Sequence, residues 1–302
     1  MRVDVPDRRI ALVVNPSSGG GRAARLLPRV ESALHDRLRG SQVDVHRSEG
    51  YDHARRLCAS AVAEGATDLL VMGGDGMAHL GINACAGTST RLGVLPAGTG
   101  NDFVRGAKMP RTVTLATDAV VAGSTRTIDL SRLSGADLSS QWVGSVVSSG
   151  YDARVNQHTN NARLRLGALD YARVAITELA RFSPLPYRIE VDGQPRELEA
   201  MIVAVANAGW FGGGMNICPA ADVHDGELDV CIVHPLSRRM LAALLPTVFA
   251  GQHVRHPKVE VLRAKVVRVD GEGLLGMADG ETLGDAPITV ECAPGVLQVL
   301  SV

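Results

Sequence analysis

The sequence is without a charge surplus: 31 Lys and Arg against 32 Asp and Glu leave a formal net charge of −1 over 302 residues. A binder of nucleic acid or of membranes that works through global positive charge is thereby excluded, and no nucleic-acid partner is expected. Long hydrophobic runs are missing as well. No stretch reaches the ~18 apolar residues that a membrane span needs, so any bilayer contact would be peripheral. The five cysteines, Cys58, Cys85, Cys218, Cys231 and Cys292, form no C-x-x-C pair, and their number is odd. They read as reduced core residues of a cytosolic protein, not as zinc ligands or a disulfide framework. The opening stretch MRVDVPDRRIALVVN offers a short strand with acids close by and lacks a signal-peptide pattern. Both standard nucleotide fingerprints are missing: there is no G-x-x-x-x-G-K-[ST], and no G-x-G-x-x-G opens a helix after the first strand. P-loop and Rossmann enzymes are disfavoured accordingly.

What the chain does have is glycine at strand ends. Gly73, Gly74, Asp75 and Gly76 follow the apolar run Leu69 to Met72, and Gly98, Thr99, Gly100, Asn101 and Asp102 follow Leu92 to Pro96. Asn15, Pro16, Ser17, Ser18, Gly19, Gly20 and Gly21 follow Ile10 to Val14. A strand that ends in glycines leaves backbone N–H groups to point at an anion, and the next helix adds its positive end. One such turn could simply be a tight turn. Three in one domain suggest a phosphate site.

With 45% hydrophobic residues the chain can bury a sizeable core, and its length is a soft prior for two domains. From the start to about Gly123 short apolar strands alternate with helical stretches near Ala23 to Leu38, His53 to Glu64 and Ala78 to Ala86, which argues for a parallel α/β layer. After Thr125 the texture changes to β-like runs at Val143 to Val147, Tyr187 to Val191, Ala200 to Ala206, Leu228 to Val233, Val259 to Leu262 and Lys265 to Val269. Helices are expected there near Leu164 to Phe182 and Ser237 to Phe249. The expected fold is an α/β N-terminal domain, 1–125, with a β-rich, sandwich-like domain, 126–284. No internal repeat is evident.

The blocks GGDG and PAGTGNDF, with NPSSGGG upstream, resemble the diacylglycerol kinase catalytic domain shared by soluble bacterial lipid kinases, sphingosine kinases and ceramide kinases. GYDARV from Gly150, FGGGMNICPAADVHDGELDV from Phe211 and ADGETLGDAPITVECAPGVLQVL from Ala278 also resemble family blocks, in family order. The resemblance implies an NAD kinase/diacylglycerol kinase-like fold in which residues 285–302 return to the first domain. It further implies a kinase using ATP and Mg2+ on a diacylglycerol-like lipid. Such a chain would be cytoplasmic and peripherally associated with an anionic membrane, with a homodimer left open. Two other readings stand beside it: an NAD kinase-like enzyme with a soluble acceptor, and a lipid-binding protein without turnover.

The triplet D-G-E occurs at Asp225, Asp270 and Asp279, and most D-G pairs are hairpin turns. The resemblance selects Asp279 as general base, because Pro287, Pro294, Gly295 and Leu297 follow it in the family's closing pattern, and places Glu281 with the nucleotide. A carboxylate with a reference pKa near 3.9 can take a proton from a lipid hydroxyl at neutral pH. Asp75 is the rival base and is assigned to Mg-nucleotide binding. Asn15, Gly73, Gly74, Gly76, Gly98, Thr99, Asn101 and Asp102 complete the nucleotide set, and Ser48 stands where the family has a nucleotide-contacting Thr. An ordinary surface serine is the alternative at that position. In DVHDGE the resemblance gives Asp222 and Asp225 as side-chain ligands of a second magnesium, with Glu227 through its carbonyl; an acidic hairpin turn is the alternative. The chain departs from the pattern at Met77, where Thr is usual, and at His79, where Asn is common. Arg154, Arg163, Arg165, Arg173, Arg181 and Arg188, against Asp170 and Glu178, read as a solvated helix face or as an anionic-membrane contact. Trp142, Trp210, Phe211 and Met215 would line an apolar acceptor surface or fill the core.

Overall fold

The computed structural model describes residues 8–135, 138–150, 183–271, 274–279, 281–285 and 287–301. The chain divides into two compact units, Met1–Asp129 with Gly295–Val302, and Leu130–Pro294.

The first unit is built on a parallel sheet in the order β2-β1-β3-β4, with β1 Arg9–Val14, β2 Gln42–Arg47, β3 Asp68–Gly73 and β4 Arg91–Pro96. β1, β3 and β4 are near-continuous apolar runs because helices cover both faces, and every residue of β3 is buried, whereas the edge strand β2, QVDVHR, is mostly polar and half-exposed. Helices α1 Ser18–Arg37, α2 Tyr51–Ala63, α3 Asp75–Cys85 and α4 Asp102–Gly106 follow successive strands, and α5 Val113–Ala122 follows α4. α1 turns Ala23, Leu27, Val30 and Leu34 inward, a helical stripe that packs with Leu12, Leu70 and Leu95. Replacing one such leucine by alanine costs about 2–5 kcal/mol. At the N-terminal edge of the sheet Asp68, wholly buried, accepts from Arg8 Nε at 2.7 Å and Arg91 Nε at 2.5 Å. Removing that carboxylate would leave two cations uncompensated, a loss of about 3–5 kcal/mol.

Register brings Val14 beside Met72 and Met72 beside Leu95. All three glycine-rich turns therefore leave the sheet at the same edge, where open α/β sheets bind their ligands. The expected strands and helices of this unit are present within a few residues. α5 is a helix that the periodicity reading omitted: VTLATDAVVA is apolar on almost every side, with no stripe to reveal it.

The second unit is a β-sandwich. One antiparallel sheet runs β14-β13-β10-β7-β16-β17, with β7 Val146–Gly150, β10 Ile202–Ala206, β13 Leu228–Val233, β14 Val259–Ala264, β16 Leu275–Ala278 and β17 Glu281–Asp285. The facing layer holds β8 Leu185–Val191, β9 Gln194–Ala200, β15 Val266–Asp270 and the first part of β18 Ile288–Leu300, with β5 Thr125–Gly135 and β6 Leu138–Val143 alongside. The hairpin β11 Trp210–Phe211 with β12 Met215–Asn216 stands apart. Val203, Val205, Val230 and Ile232 of one sheet meet Tyr187, Ile189, Val267 and Val290 of the other. The opposite face of the first sheet is covered by α6 Arg238–Val248, so β10 and β13 are buried on both sides and read as unbroken apolar runs. Tyr187 stacks in this core with its hydroxyl bonded to Ser149 O at 3.0 Å.

Two expectations are corrected. Val143 to Val147 is not one strand: β6 ends at Val143 and β7 begins at Val146, with Gly144 and Ser145 between. Ala200 to Ala206 is likewise broken at Met201, which separates β9 from β10. β9 itself, QPRELEA, was hidden by its charge; it alternates outward-facing polar residues as half-exposed strands do. The helix expected at Leu164 to Phe182, most of the GYDARV block and the arginines from Arg154 to Arg181 lie outside the described residues. The last residues of β18 pair with β4 in parallel, Val299 opposite Leu92, and all five cysteines are buried thiols outside any disulfide.

Candidate active site

In the first unit the three turns touch one another through bare backbone. Gly19, Gly20 and Gly21 have φ of 59°, 63° and 84°, and a Cβ on Gly19 would strike the carbonyl oxygen of Ala97. A Cβ on Gly98 would strike Gly74 Cα, while Ala97 N and Gly98 N both donate to Gly73 O, at 2.8 and 3.0 Å. Side chains are excluded there by contact, not only by turn geometry. Asn15 N donates to Met72 O at 3.0 Å, and its Oδ1 accepts from Ser17 N at 3.1 Å and Ser17 Oγ at 2.8 Å, fixing the start of the first turn.

Asp75 joins the second turn to the third. Its Oδ2 accepts from Asn101 N at 2.8 Å, and its Oδ1 from Asp102 N at 2.6 Å and Phe103 N at 3.3 Å. A residue at the head of α3 thus caps the first amides of α4, each bond strengthened by the carboxylate's charge. Asn101 is left-handed, with φ 55°, and its amide donates to Gly98 O at 3.0 Å. Asp102 is buried, Thr99 is exposed, and Gly76 faces the ring of Tyr51. Ser48 is no surface serine: it is 8% exposed, and both its N–H and its hydroxyl donate to Val14 O, at 2.8 and 3.1 Å. Met77 is buried with its side chain under Gly73, and His79 is buried with its carbonyl bonded to Asn83 at 3.0 Å. The amide-rich edge fits a polyphosphate, since glycine backbone and helix starts face it without side chains in the way.

In the second unit Asp279 occupies the turn between β16 and β17 with φ 47°. Aspartate tolerates that region better than most residues. Its Oδ1 accepts from Ser145 N at 3.1 Å and its Oδ2 from Gly144 N at 3.2 Å. Asn207, 1% exposed at the end of β10, holds the same loop from the other side: Nδ2 donates to Gly144 O at 3.2 Å and its N–H to Ser145 O at 2.9 Å. Asn207 was not picked from the sequence. Its signal is an asparagine closing an apolar strand, as Asn15 closes β1. The backbone of Glu281 begins β17, and its side chain lies outside the described residues.

The acidic loop is organised differently from the expectation. Arg263 Nη2 bonds both Asp225 Oδ2 and Glu227 Oε2, the latter at 2.9 Å. Asp225 Oδ1 also accepts from Glu227 N at 3.0 Å, while Asp222 pairs with His224 at 2.9 Å. The structure brings Asp225 and Glu227 together and leaves Asp222 with another partner. Among the described residues no three His, Cys, Asp or Glu side chains converge as a metal set. Asp229, just beyond the loop, was also missed, being hidden in the apolar run of β13. Burial pushes its carboxyl up to about 6, Arg263 pulls it down, and Asp225 and Glu227 raise it further.

The comparisons with known proteins fall on both units. The model of the diacylglycerol kinase catalytic domain matches residues 9–133, and that of the YegS C-terminal NAD kinase beta sandwich-like domain matches residues 145–301. A diacylglycerol kinase of Mycobacterium tuberculosis (strain ATCC 25618 / H37Rv) is 38% identical over 299 residues, covering 97% of this chain and 94% of that protein. The "Probable lipid kinase YegS-like" of Xanthomonas axonopodis pv. citri (strain 306) is 31% identical over 275 residues, covering 87% and 88%. The crystal structure of a diacylglycerol kinase from Bacillus anthracis str. Sterne superposes with a TM-score of 0.75 at 19% identity, covering 99% of this chain and 98% of that one; that likeness speaks for the fold.

Proposed function

Starting from the chain's membership of the diacylglycerol kinase catalytic-domain family, with a YegS-type C-terminal domain, we propose that it transfers the γ-phosphoryl group of ATP to the hydroxyl of diacylglycerol, giving phosphatidic acid. The observation that carries the reading is the meeting of three glycine turns at one sheet edge, with Asp75 clamping two of them. Phosphoryl transfer asks mainly for positioning and charge stabilisation, which backbone amides held in place supply. The turns of Gly19–Gly21, Gly73–Gly76 and Gly98–Asp102 surround the triphosphate. In the third of them the amides of Gly98, Asn101 and Asp102 are held by Gly73 and Asp75, which leaves Thr99 and Gly100 to face the phosphates, and Asp75 and Asn15 hold the turns in shape. Asp279 accepts the proton of the lipid hydroxyl as its oxygen bonds to the γ-phosphorus and the bond to the β-phosphate oxygen breaks, releasing ADP. Mg2+ bound with the nucleotide neutralises charge on the β- and γ-phosphates.

The second-magnesium role of Asp222, Asp225 and Glu227 is proposed only for a state in which Arg263 has left the two carboxylates it now neutralises. A magnesium-dependent rise in melting temperature that grows in Arg263→Gln supports it; no rise in either protein refutes it. The buried Met77 weakens the non-catalytic reading, because position 77 is 5% exposed and packs against Gly73, so a hydroxyl there would not stand at the surface. A diacylglycerol acceptor resides in a bilayer, so the protein works at a membrane surface; no described helix is long and apolar enough to cross one. The test is transfer of labelled phosphate from ATP to an extracted lipid pool. Label in phosphatidic acid is the expected result, and label confined to water-soluble acceptors would refute the reading.

A further inference from the structure

Residues Pro235 to Lys258 contain no Asp or Glu, in a chain that has 32 of them. The segment carries Arg238, Arg239, Arg255 and Lys258, all exposed and none with an ion-pair partner among the described residues. Its helix, α6, buries Leu241, Leu244 and Val248 and is capped by Ser237, whose Oγ accepts from Met240 N at 3.3 Å. Beyond Arg239 the outer face is uncharged: Ala242, Ala243 and Pro246 are exposed, Phe249 stands 54% exposed at its end and Met240 45% exposed on its shoulder. A helix face turned to water alone would be expected to carry charges of both signs. This segment joins an apolar helix face to exposed charges of one sign only. An anionic bilayer matches both at once, with headgroups for the charges and acyl chains for Phe249 and Met240. A second copy of the same face matches neither, since two sets of cationic charges would oppose each other.

We propose that the outer face of α6, with Arg255 and Lys258, is the docking surface for an anionic phospholipid membrane. The inference rests on the reading of the acceptor as a bilayer lipid, and its test separates the two. The full chain is co-sedimented with vesicles of phosphatidylglycerol and phosphatidylcholine, or of phosphatidylcholine alone, at low and high salt. Binding to the anionic vesicles only, falling with salt, is expected. Arg238→Glu with Arg239→Glu should weaken it at least about 25-fold, at about fivefold per basic residue lost. Arg25→Glu with Arg29→Glu, the same charge change on the exposed side of α1, should alter it by no more than about threefold if the surface is local. Equal losses in the two double variants, or no binding by the parent, would overturn the proposal. So would a dimer that the α6 variant dissociates while vesicle binding is unchanged. Phosphorylation of a water-dispersed short-chain diacylglycerol reads the kinase separately. The α6 variant should retain it, and a parent that binds vesicles but never phosphorylates diacylglycerol would leave the docking surface standing and the kinase reading refuted.

Discussion

The two units build their chemistry in opposite ways. In the first, the candidate groups are mostly main-chain amides placed by the register of parallel strands, so they arrive together at one edge whatever the intervening helices contain. In the second, they are side chains on connections between antiparallel strands, and each is held by a residue distant in the chain. Asp279 rests on Gly144 and Ser145, and Asp225 rests on Arg263. Apart from the clamping side chains of Asp75 and Asn15, the first arrangement tolerates side-chain change but not added bulk. The second tolerates bulk at its rim but not the loss of one carboxylate.

The sharpest way to break that contrast is Asp279→Asn. Turnover should fall about 100- to 10,000-fold, the usual worth of a positioned base, while ATP affinity, set by the other unit, stays near that of the parent. Asparagine can accept only one of the two amide bonds, so a small drop in melting temperature is expected as well. Near-normal turnover would refute the assignment and return Asp75 to candidacy.

Gly98→Ala probes the other side of the comparison. A methyl group there meets Gly74 Cα, so the two turns must part, and ATP affinity measured by calorimetry should fall about tenfold or more, roughly 1.4 kcal/mol. Unchanged affinity would mean that contact between the turns does not shape the phosphate site.

A smaller effect, in stability instead of turnover, is expected at Asp229. Its folded carboxyl titrates at about 6 against an ordinary value of 3.8, so the folded state holds a proton that the unfolded state has released between those values. Stability should therefore decline as pH rises from about 4 to 6 and level off above, and Asp229→Asn should remove that decline. The gain at pH 7 is about 1–2 kcal/mol after solvent screening, read from denaturant midpoints. A variant with the parent's pH profile would exclude Asp229 as its source.

Smallest of all in activity is Met77→Thr. The side chain lies inside, so the hydroxyl adds no exposed donor, and turnover should change by less than about tenfold, within the worth of one neutral hydrogen bond. Stability should drop by about 1–3 kcal/mol as a buried thioether gives way to a smaller polar group. A large gain in turnover would restore the missing-hydroxyl interpretation.

The same contrast explains how far the sequence could be read. Strand-then-glycine is a local pattern, and β1, β3 and β4 fall where the apolar runs predict them. Leu228–Val233 matches the expected strand residue for residue. Pairings across 135 or 38 positions leave no local trace, which is why the Asp279 and Asp225 partners could not be foreseen. Asp75 was recognised as important, but its capping of α4 depends on where α4 begins, and Asn101 in a left-handed conformation sets that point.

β18 has a consequence for the life of the chain. Leu300 completes the core of the first unit, and Ser301 Oγ accepts from Arg126 at 3.1 Å. Those residues are made only after the whole of the second unit, Leu130–Pro294. The first unit, although β1 to β4 are made first, cannot finish its sheet until the whole of the second unit has been synthesised, so its final closure waits on Leu130–Pro294. A nascent chain arrested before β18 should thus expose Leu92 and Leu95 along an unpaired edge of β4, a natural recognition point for chaperones.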